Sequence, residues 1–202
     1  MHLTTRLLKQ RAHVPCAITV IRTLLMVPFV ILLLSGNGSL YVCAMVIWIL
    51  ASLLDVADGH VARKLNAVTK AGAMMDLAAD RIMIVVGAVM LISLRAANEY
   101  IILLIVVREL LTDSMRAWRV ASGFVVPHNI FGRLKMTLIV IGTLCALAGF
   151  AGLAPRHSTR LAADGFLVLA LLAGGASAIC VWYGACPMED GQGIRGVSAG
   201  AR

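Results

Sequence analysis

The chain has 202 residues, of which 60% are hydrophobic and only 14% are charged. Its mean hydropathy is +0.92, which excludes a soluble globular domain and indicates an integral membrane protein of one domain. Despite the net charge of +8, we expect no nucleic-acid partner in so apolar a chain, and assign the basic excess to anionic lipid headgroups. The five cysteines lack paired metal-ligand spacing, so we expect neither a disulfide framework nor a zinc site.

The N-terminal residues 1–13 mix basic and apolar side chains. They carry Arg6, Lys9 and Arg11 alongside Leu3, Leu7 and Leu8. A basic amphipathic segment of this kind is typical of a helix that lies on the membrane surface. We therefore predict an interfacial amphipathic helix here.

Six apolar stretches follow, each compatible with a membrane-spanning helix. They cover residues 17–34, 40–54 (continuing as helix to 63), 72–94, 100–118, 134–153 and 165–183. We predict an all-α integral membrane fold with six transmembrane helices, forming one domain over residues 14–186. The Gly- and Ala-rich tail, residues 187–202, is predicted to be disordered.

The distribution of lysine and arginine predicts the orientation. These residues are concentrated at the N-terminus and in the second and fourth connections, and are sparse in the other connections. The positive-inside bias predicts that both termini, and the segment that follows the second stretch, face the cytoplasm at the cell (inner) membrane. Trp48, Trp118 and Trp182 lie near predicted helix ends, where tryptophan favours the membrane–water interface.

An acidic segment runs from the end of the second stretch into the third. It contains four of the ten acidic residues of the chain: Asp55, Asp58, Asp76 and Asp80. Four unpaired carboxylates at the depth of the bilayer would cost on the order of 10 kcal/mol, so they need a compensating charge. Hard divalent cations such as Mg²⁺ bind through carboxylate oxygens and substrate phosphates. The segment therefore predicts a metal site at the membrane.

The spacing within the acidic segment favours two helices over loops. Residues three or four apart on a helix share one face, so Asp55 and Asp58 face one way, as do Asp76 and Asp80. Small residues, Gly59, Ala62 and Gly72, are interleaved with the carboxylates. Small side chains allow a flat ring or another backbone to approach closely. Scattered polar loop residues would not keep two such faces among Leu, Met and Val.

A second group of charged residues is cationic and interrupts the fourth and fifth stretches. It consists of Arg108, Arg116, Arg133 and Lys135. Arginine within a membrane segment is by default a functional hypothesis, and its planar fork suits phosphate. The alternative is structural: Arg108 pairs with Asp113 or Glu109, while Arg116 and Lys135 extend to the interface. We favour phosphate binding.

The acidic segment reads D-x2-D-G-x2-A-R-x8-G-x3-D-x3-D and resembles the signature of the CDP-alcohol phosphotransferase family. Members are integral membrane enzymes that join a CDP-activated lipid or alcohol to a second alcohol and release CMP. The resemblance implies that Asp55, Asp58 and Asp76 bind Mg²⁺ or Mn²⁺, and that Asp80 is a further ligand or the catalytic base. It implies a cytidine diphosphate pocket formed by Gly59, Ala62, Arg63 and Gly72.

Three further segments, residues 14–22, 108–118 and 132–137, are similar to the branch of that family that makes phosphatidylglycerophosphate. This resemblance implies CDP-diacylglycerol as donor and sn-glycerol 3-phosphate as acceptor, and it implies a homodimer. Thr19, in the first of these segments, would join the cytidine diphosphate pocket. The acceptor phosphate would be held by Arg108, Arg116, Arg133 and Lys135.

Two alternatives remain at this point. Within the family the acceptor could be inositol phosphate, serine or a second lipid, although serine has no need of a cationic group. A protein of another class, a transporter or channel, would line an ion path with buried acids and arginines. That class explains isolated charges in helices, but it leaves the interleaved glycines and alanine unexplained.

Overall fold

The computed structural model describes residues 19–64, 70–122 and 130–183, and every regular element within these ranges is a helix. The helices are α1 (Thr19–Leu34), α2 (Gly38–Lys64), α3 (Lys70–Ser93), α4 (Glu99–Ala121), α5 (Ile130–Phe150) and α6 (Arg156–Tyr183). The predicted all-helical class is confirmed. The predicted interfacial helix (1–13) and disordered tail (187–202) lie outside the described residues.

Helix α1 is interrupted at Leu25, after which Met26–Leu34 continues as regular helix. Pro28 accounts for the interruption, because proline has no N–H for the carbonyl four residues earlier and its ring crowds that carbonyl. The carbonyl concerned belongs to Leu24, directly before the break. The helical path continues across this point, because the N–H of Leu25 donates to the carbonyl of Ile21 at 2.9 Å and the N–H of Phe29 donates to the carbonyl of Leu25 at 3.3 Å.

The turn between α1 and α2 is short because two residues suit it. Gly36 has φ +70°, in the left-handed region that glycine enters without steric cost. The Oδ1 atom of Asn37 then accepts a hydrogen bond from the N–H of Ser39 at 3.1 Å. This side-chain acceptor satisfies one of the unpaired N–H groups at the start of α2.

Helix α6 begins at Arg156, so the prediction that the last helix starts at residue 165 is wrong. The predicted stretches 134–153 and 165–183 leave residues 156–164 in the connection between them, but these residues form the first turns of the helix. Asp164 accepts a hydrogen bond from the backbone N–H of Asn98 at 2.7 Å. Asn98 in turn caps α4 by accepting from the N–H of Tyr100 at 3.0 Å. The polar start of α6 therefore serves the connection between α3 and α4.

Three helical segments of the described ranges are long and apolar enough to cross a membrane: Gly38–Ala57 of α2, all of α5 and all of α6. Helix α1 is apolar but shorter, and α3 and α4 carry charged residues in their interiors. Large apolar side chains also cover the outside of the bundle, with Ile31 and Leu172 more than half exposed. This exterior is that of a membrane protein.

Two apolar clusters form the core. The first joins α1, α2, α3 and α5, and the second joins α3, α4, α5 and α6. Trp48 is fully buried in the first cluster and stacks on Phe29, with ring centroids 5.0 Å apart. The expectation that Trp48 lies at the interface is therefore wrong. Its indole fills the space between helices where Gly87 of α3 lies opposite.

Gly87→Ala is expected to destabilise the protein, because a Cβ at this position would lie 2.6 Å from Cη2 of Trp48. A buried indole cannot retreat, so the overpacking should cost about 1–3 kcal/mol. The measurement is thermal unfolding in detergent. The matched control is Gly165→Ala on α6, where the new methyl would meet nothing within 4 Å. Equal melting temperatures for the two variants would contradict this account.

Candidate active site

The acidic segment is helical on both sides of its connection. Asp55 to Arg63 lie on α2, and the second half of the segment lies on α3, as its spacing predicts. The structure describes the side chains of Asp55 and Asp80. The side chains of six other predicted site residues lie outside the described part: Asp58, Gly59, Ala62, Arg63, Gly72 and Asp76.

Arg22 of α1 brings the two described carboxylates together. Its Nη1 donates a hydrogen bond to Oδ1 of Asp55, and its Nη2 donates to Oδ1 of Asp80 at 2.6 Å. The Arg22 side chain is 2% exposed, whereas those of Asp55 and Asp80 are 34% and 26% exposed. One buried guanidinium thus joins α1, α2 and α3, while both carboxylates stay partly open to solvent.

Thr19 lies three residues before Arg22 and is likewise buried. Residues three apart on a helix share a face, so Thr19 occupies the same side of α1 as Arg22. The structure therefore places this predicted pocket residue on the face of α1 that meets the carboxylates. From the sequence alone, Arg22 counts as a charge for orientation and as the end of the segment 14–22, but its contacts are not predicted.

The donor chemistry around Arg22 fits a divalent cation. Asp55 and Asp80 direct carboxylate oxygens at one cationic group, and carboxylate oxygens are the ligands that Mg²⁺ and Mn²⁺ prefer. Within the described residues, no three Asp, Glu, His or Cys side chains gather as metal donors. The remaining predicted ligands, Asp58 and Asp76, belong to the part whose side chains are not described.

A second charged group surrounds Glu109 of α4, whose side chain is 2% exposed. Lys135 of α5 donates to both of its carboxylate oxygens, at 2.8 and 2.6 Å. Arg81 of α3 donates to its Oε2 at 2.9 Å, and Nη1 of Arg108 lies 2.8 Å from its Oε1. Arg81 also bonds to Asp113, one turn further along α4. We call these five side chains the Glu109 cluster.

The Glu109 cluster carries more positive than negative charge. Arg81, Arg108 and Lys135 supply three cations against two carboxylates, from Glu109 and Asp113. Lys135 is 6% exposed, so this surplus is held largely away from water. A partly buried surplus of cations favours an anionic ligand, because a charge removed from water needs a partner.

Arg108 fits into the bundle because α6 leaves room for it. Its Nη2 lies 3.4 Å from the backbone carbonyl of Ala170 and donates to it. A Cβ at Gly174 would overlap the Arg108 guanidinium. The Ala170–Gly174 pair therefore forms a notch in α6 that receives the arginine head group.

The other two predicted phosphate ligands differ in position. Arg116 lies two turns beyond Arg108 on α4, and its Nε is buried without a hydrogen-bond partner among the described residues. Arg133 is exposed on α5, two residues before Lys135, and residues two apart on a helix do not face each other. Arg108, Arg116 and Lys135 thus line the interior of the bundle, while Arg133 does not share their face.

Arg81 and Glu109 were absent from the predicted site. Two signals in the sequence point to them: Arg81 follows Asp80 directly, and Glu109 follows Arg108 in an otherwise apolar run. Because Asp80 binds Arg22 and Arg81 binds the Glu109 cluster, adjacent residues of α3 belong to the two charged groups. Helix α3 therefore contributes a side chain to each of the two groups.

The fold and the site define a helical membrane protein with a carboxylate site beside a cationic one. Comparison with known proteins agrees: residues 12–182 match the CDP-alcohol phosphatidyltransferase family. The chain belongs to this family of membrane enzymes, and the family resemblance predicted from the acidic segment is confirmed.

The chain is similar to several curated relatives, each named CDP-diacylglycerol--glycerol-3-phosphate 3-phosphatidyltransferase. The relative from Wigglesworthia glossinidia brevipalpis is 36% identical over 68% of this chain and 78% of its own length. The relative from Bacillus subtilis is 28% identical over 67% and 76%. The relative from Yersinia pestis is 30% identical over 78% and 86%.

Glu109→Gln is expected to destabilise the protein strongly. The amide keeps the shape of the side chain but removes the charge that Lys135 and Arg81 share. Breaking a buried ion pair by removing one partner costs about 3–5 kcal/mol. Thermal unfolding in detergent measures this cost.

The matched control is Glu99→Gln, in the exposed first turn of α4. There a carboxylate only complements the helix dipole, worth about 0.3–1 kcal/mol. If the Glu109→Gln variant melts at as high a temperature as the Glu99→Gln variant, the ion pairs of Glu109 do not stabilise the fold as described.

Proposed function

We propose that the protein transfers the phosphatidyl group of CDP-diacylglycerol to sn-glycerol 3-phosphate, giving phosphatidylglycerophosphate and CMP. The observation that carries the proposal is the cationic surplus of the Glu109 cluster, to which Arg81, the residue after Asp80, contributes. An acceptor that is itself a phosphate needs such a surplus, whereas serine or a neutral lipid does not. The names of the relatives from Wigglesworthia and Bacillus support the same two substrates.

On the donor side, Asp55, Asp58, Asp76 and Asp80 would hold Mg²⁺ or Mn²⁺. The bound metal would neutralise the diphosphate of the donor and the CMP that leaves. Thr19, Gly59, Ala62, Arg63 and Gly72 would form the pocket for the cytidine diphosphate, as the family signature implies. The partial exposure of Asp55 and Asp80 supports this, because residues that bind metal and substrate must be accessible.

On the acceptor side, Arg108, Arg116 and Lys135 would bind the phosphate of glycerol 3-phosphate, with Arg133 at the outer edge. The guanidinium fork of arginine matches phosphate oxygens in pairs. The buried Nε of Arg116 supports a ligand at this position, because a buried donor without a partner is costly. Glu109 would hold Lys135 and Arg81 in position by ion pairing, so that neither cation pairs with Asp80 instead.

In the chemical step, the acceptor hydroxyl oxygen attacks the phosphorus that bears the diacylglycerol. The bond from this phosphorus to the CMP oxygen breaks, and its electron pair leaves with CMP. Asp80 takes the proton of the hydroxyl. Arg81, the next residue of α3, is part of the Glu109 cluster, so one helix would contribute both to acceptor binding and to proton removal.

We further propose six transmembrane helices, with both termini and the site at the cytoplasmic side of the cell (inner) membrane, in a homodimer. Internal ion pairs support spans through α3 and α4. Asp80 pairs with Arg22, and Arg81 and Lys135 pair with Glu109. Pairing lowers the cost of placing such charges in a bilayer.

The defining experiment supplies radiolabelled CDP-diacylglycerol to purified protein with a panel of acceptors: glycerol 3-phosphate, inositol phosphate, serine and a lipid alcohol. We expect transfer to glycerol 3-phosphate, loss of activity with EDTA, and recovery with Mg²⁺ or Mn²⁺. Transfer to another acceptor alone would correct the acceptor assignment. Full activity in excess EDTA would reject the metal.

Asp80→Asn should reduce turnover by about 10²–10⁴-fold, the usual contribution of a positioned base. The amide oxygen can still accept a hydrogen bond from Arg22, so the helix contacts should persist. Binding of CDP-diacylglycerol, measured separately, should change little. The control is Asp164→Asn on α6, whose carboxylate serves the α3–α4 connection. Near-normal turnover in Asp80→Asn would exclude the base role.

Gly174→Ala should raise the KM for glycerol 3-phosphate, because its methyl would displace the Arg108 guanidinium. Losing one charge-assisted hydrogen bond, roughly 1.5–3 kcal/mol, corresponds to about 10- to 150-fold. The KM for CDP-diacylglycerol should move much less. The matched control is Gly175→Ala, where the methyl would meet nothing within 4 Å. Equal damage to both substrates would show that Arg108 is structural.

A further inference from the structure

The buried guanidinium of Arg22 occupies carboxylate oxygens that the proposed metal would use. Nη1 bonds to Oδ1 of Asp55, and Nη2 bonds to Oδ1 of Asp80 at 2.6 Å. These two carboxylates come from different helices, α2 and α3, and Arg22 reaches them from a third. A single side chain therefore connects the two halves of the acidic segment.

We propose that Arg22 is an internal counter-ion that competes with the divalent cation for Asp55 and Asp80. Metal binding would displace the guanidinium from at least one of these oxygens. The inference rests on the metal site of the proposed function. It adds that Arg22, a residue outside the acidic segment, sets the affinity of that site for metal. Arg22 would thereby weaken metal binding while offsetting part of the negative charge of the two carboxylates.

Electrostatics supports competition over cooperation. A divalent cation and a guanidinium that share the same oxygens would lie only a few ångströms apart, where like charges repel strongly in a medium of low dielectric constant. Arg22 is 2% exposed, so water screens this repulsion poorly. Binding of either cation to these carboxylates therefore weakens the binding of the other.

The guanidinium and the two carboxylates differ in their exposure. The Arg22 side chain is 2% exposed, whereas those of Asp55 and Asp80 are 34% and 26% exposed. The carboxylates are thus more accessible to a metal ion than the guanidinium that binds them.

The test is Mn²⁺ binding to the purified full-length protein in detergent, without either substrate, followed by electron paramagnetic resonance. Arg22→Gln should bind Mn²⁺ at least about tenfold more tightly than the wild type, since charge-assisted hydrogen bonds no longer hold the oxygens. The matched control is Arg81→Gln. It removes the same unit charge next to Asp80, but its partners are Glu109 and Asp113. Its affinity for Mn²⁺ should change less than about threefold, as expected for a charge that does not touch the carboxylates.

Arg22→Lys provides a second variant if Arg22→Gln does not fold. A lysine keeps the charge but lacks the planar fork that reaches two carboxylates at once, so its affinity for Mn²⁺ should fall between those of the wild type and Arg22→Gln. Mn²⁺ should also raise the melting temperature of both variants more than that of the wild type.

The outcomes separate this inference from the proposed function. If the wild type binds Mn²⁺ and the Arg22 variants bind it equally or more weakly, competition is refuted while the metal site stands. Equal tightening in Arg22→Gln and Arg81→Gln would also refute it, because any nearby charge would then suffice. If the wild type binds no Mn²⁺, the metal of the proposed function is rejected together with the competition.

Discussion

Charged side chains between apolar helices must find their counter-charges within the protein, because lipid supplies none. The bond of Arg22 to Asp55 and Asp80 meets this constraint for the first three helices. The Glu109 cluster meets it for α3, α4 and α5. Ion pairing thus brings together the helices that carry most of the charge, and the apolar clusters fill the space between them.

In the proposed reaction, the two charged groups have different roles. The carboxylates of α2 and α3 suit metal and diphosphate, and the cationic surplus around Glu109 suits a phosphate on the acceptor. Helix α3 contributes to both through the adjacent residues Asp80 and Arg81. The notch at Ala170 and Gly174 brings α6 into the same arrangement by receiving Arg108.

Local patterns in the sequence predicted what depends on local spacing. The helical faces of the acidic segment could be predicted from residues three or four apart. Its family could be predicted from the resemblance of its motif. The contacts of Arg22 could not, because its partners lie 33 and 58 positions away. The predictions for Trp48 and for the start of the last helix were wrong for the same reason, since Trp48 is buried and α6 begins at Arg156. In each case a tertiary partner, Phe29 for Trp48 and Asn98 for Asp164, decides the outcome.

The adjacency of Asp80 and Arg81 has a consequence for how such an enzyme diverges. Consecutive Cα atoms are about 3.8 Å apart whatever the side chains are, so substitutions elsewhere cannot alter the spacing between these two positions on α3. Arg108, Lys135 and Gly174, by contrast, stand on α4, α5 and α6. Under the proposed division of roles, selection for a new acceptor can therefore change residues of α4, α5 and α6 while Asp80 and Arg81 keep their spacing on α3.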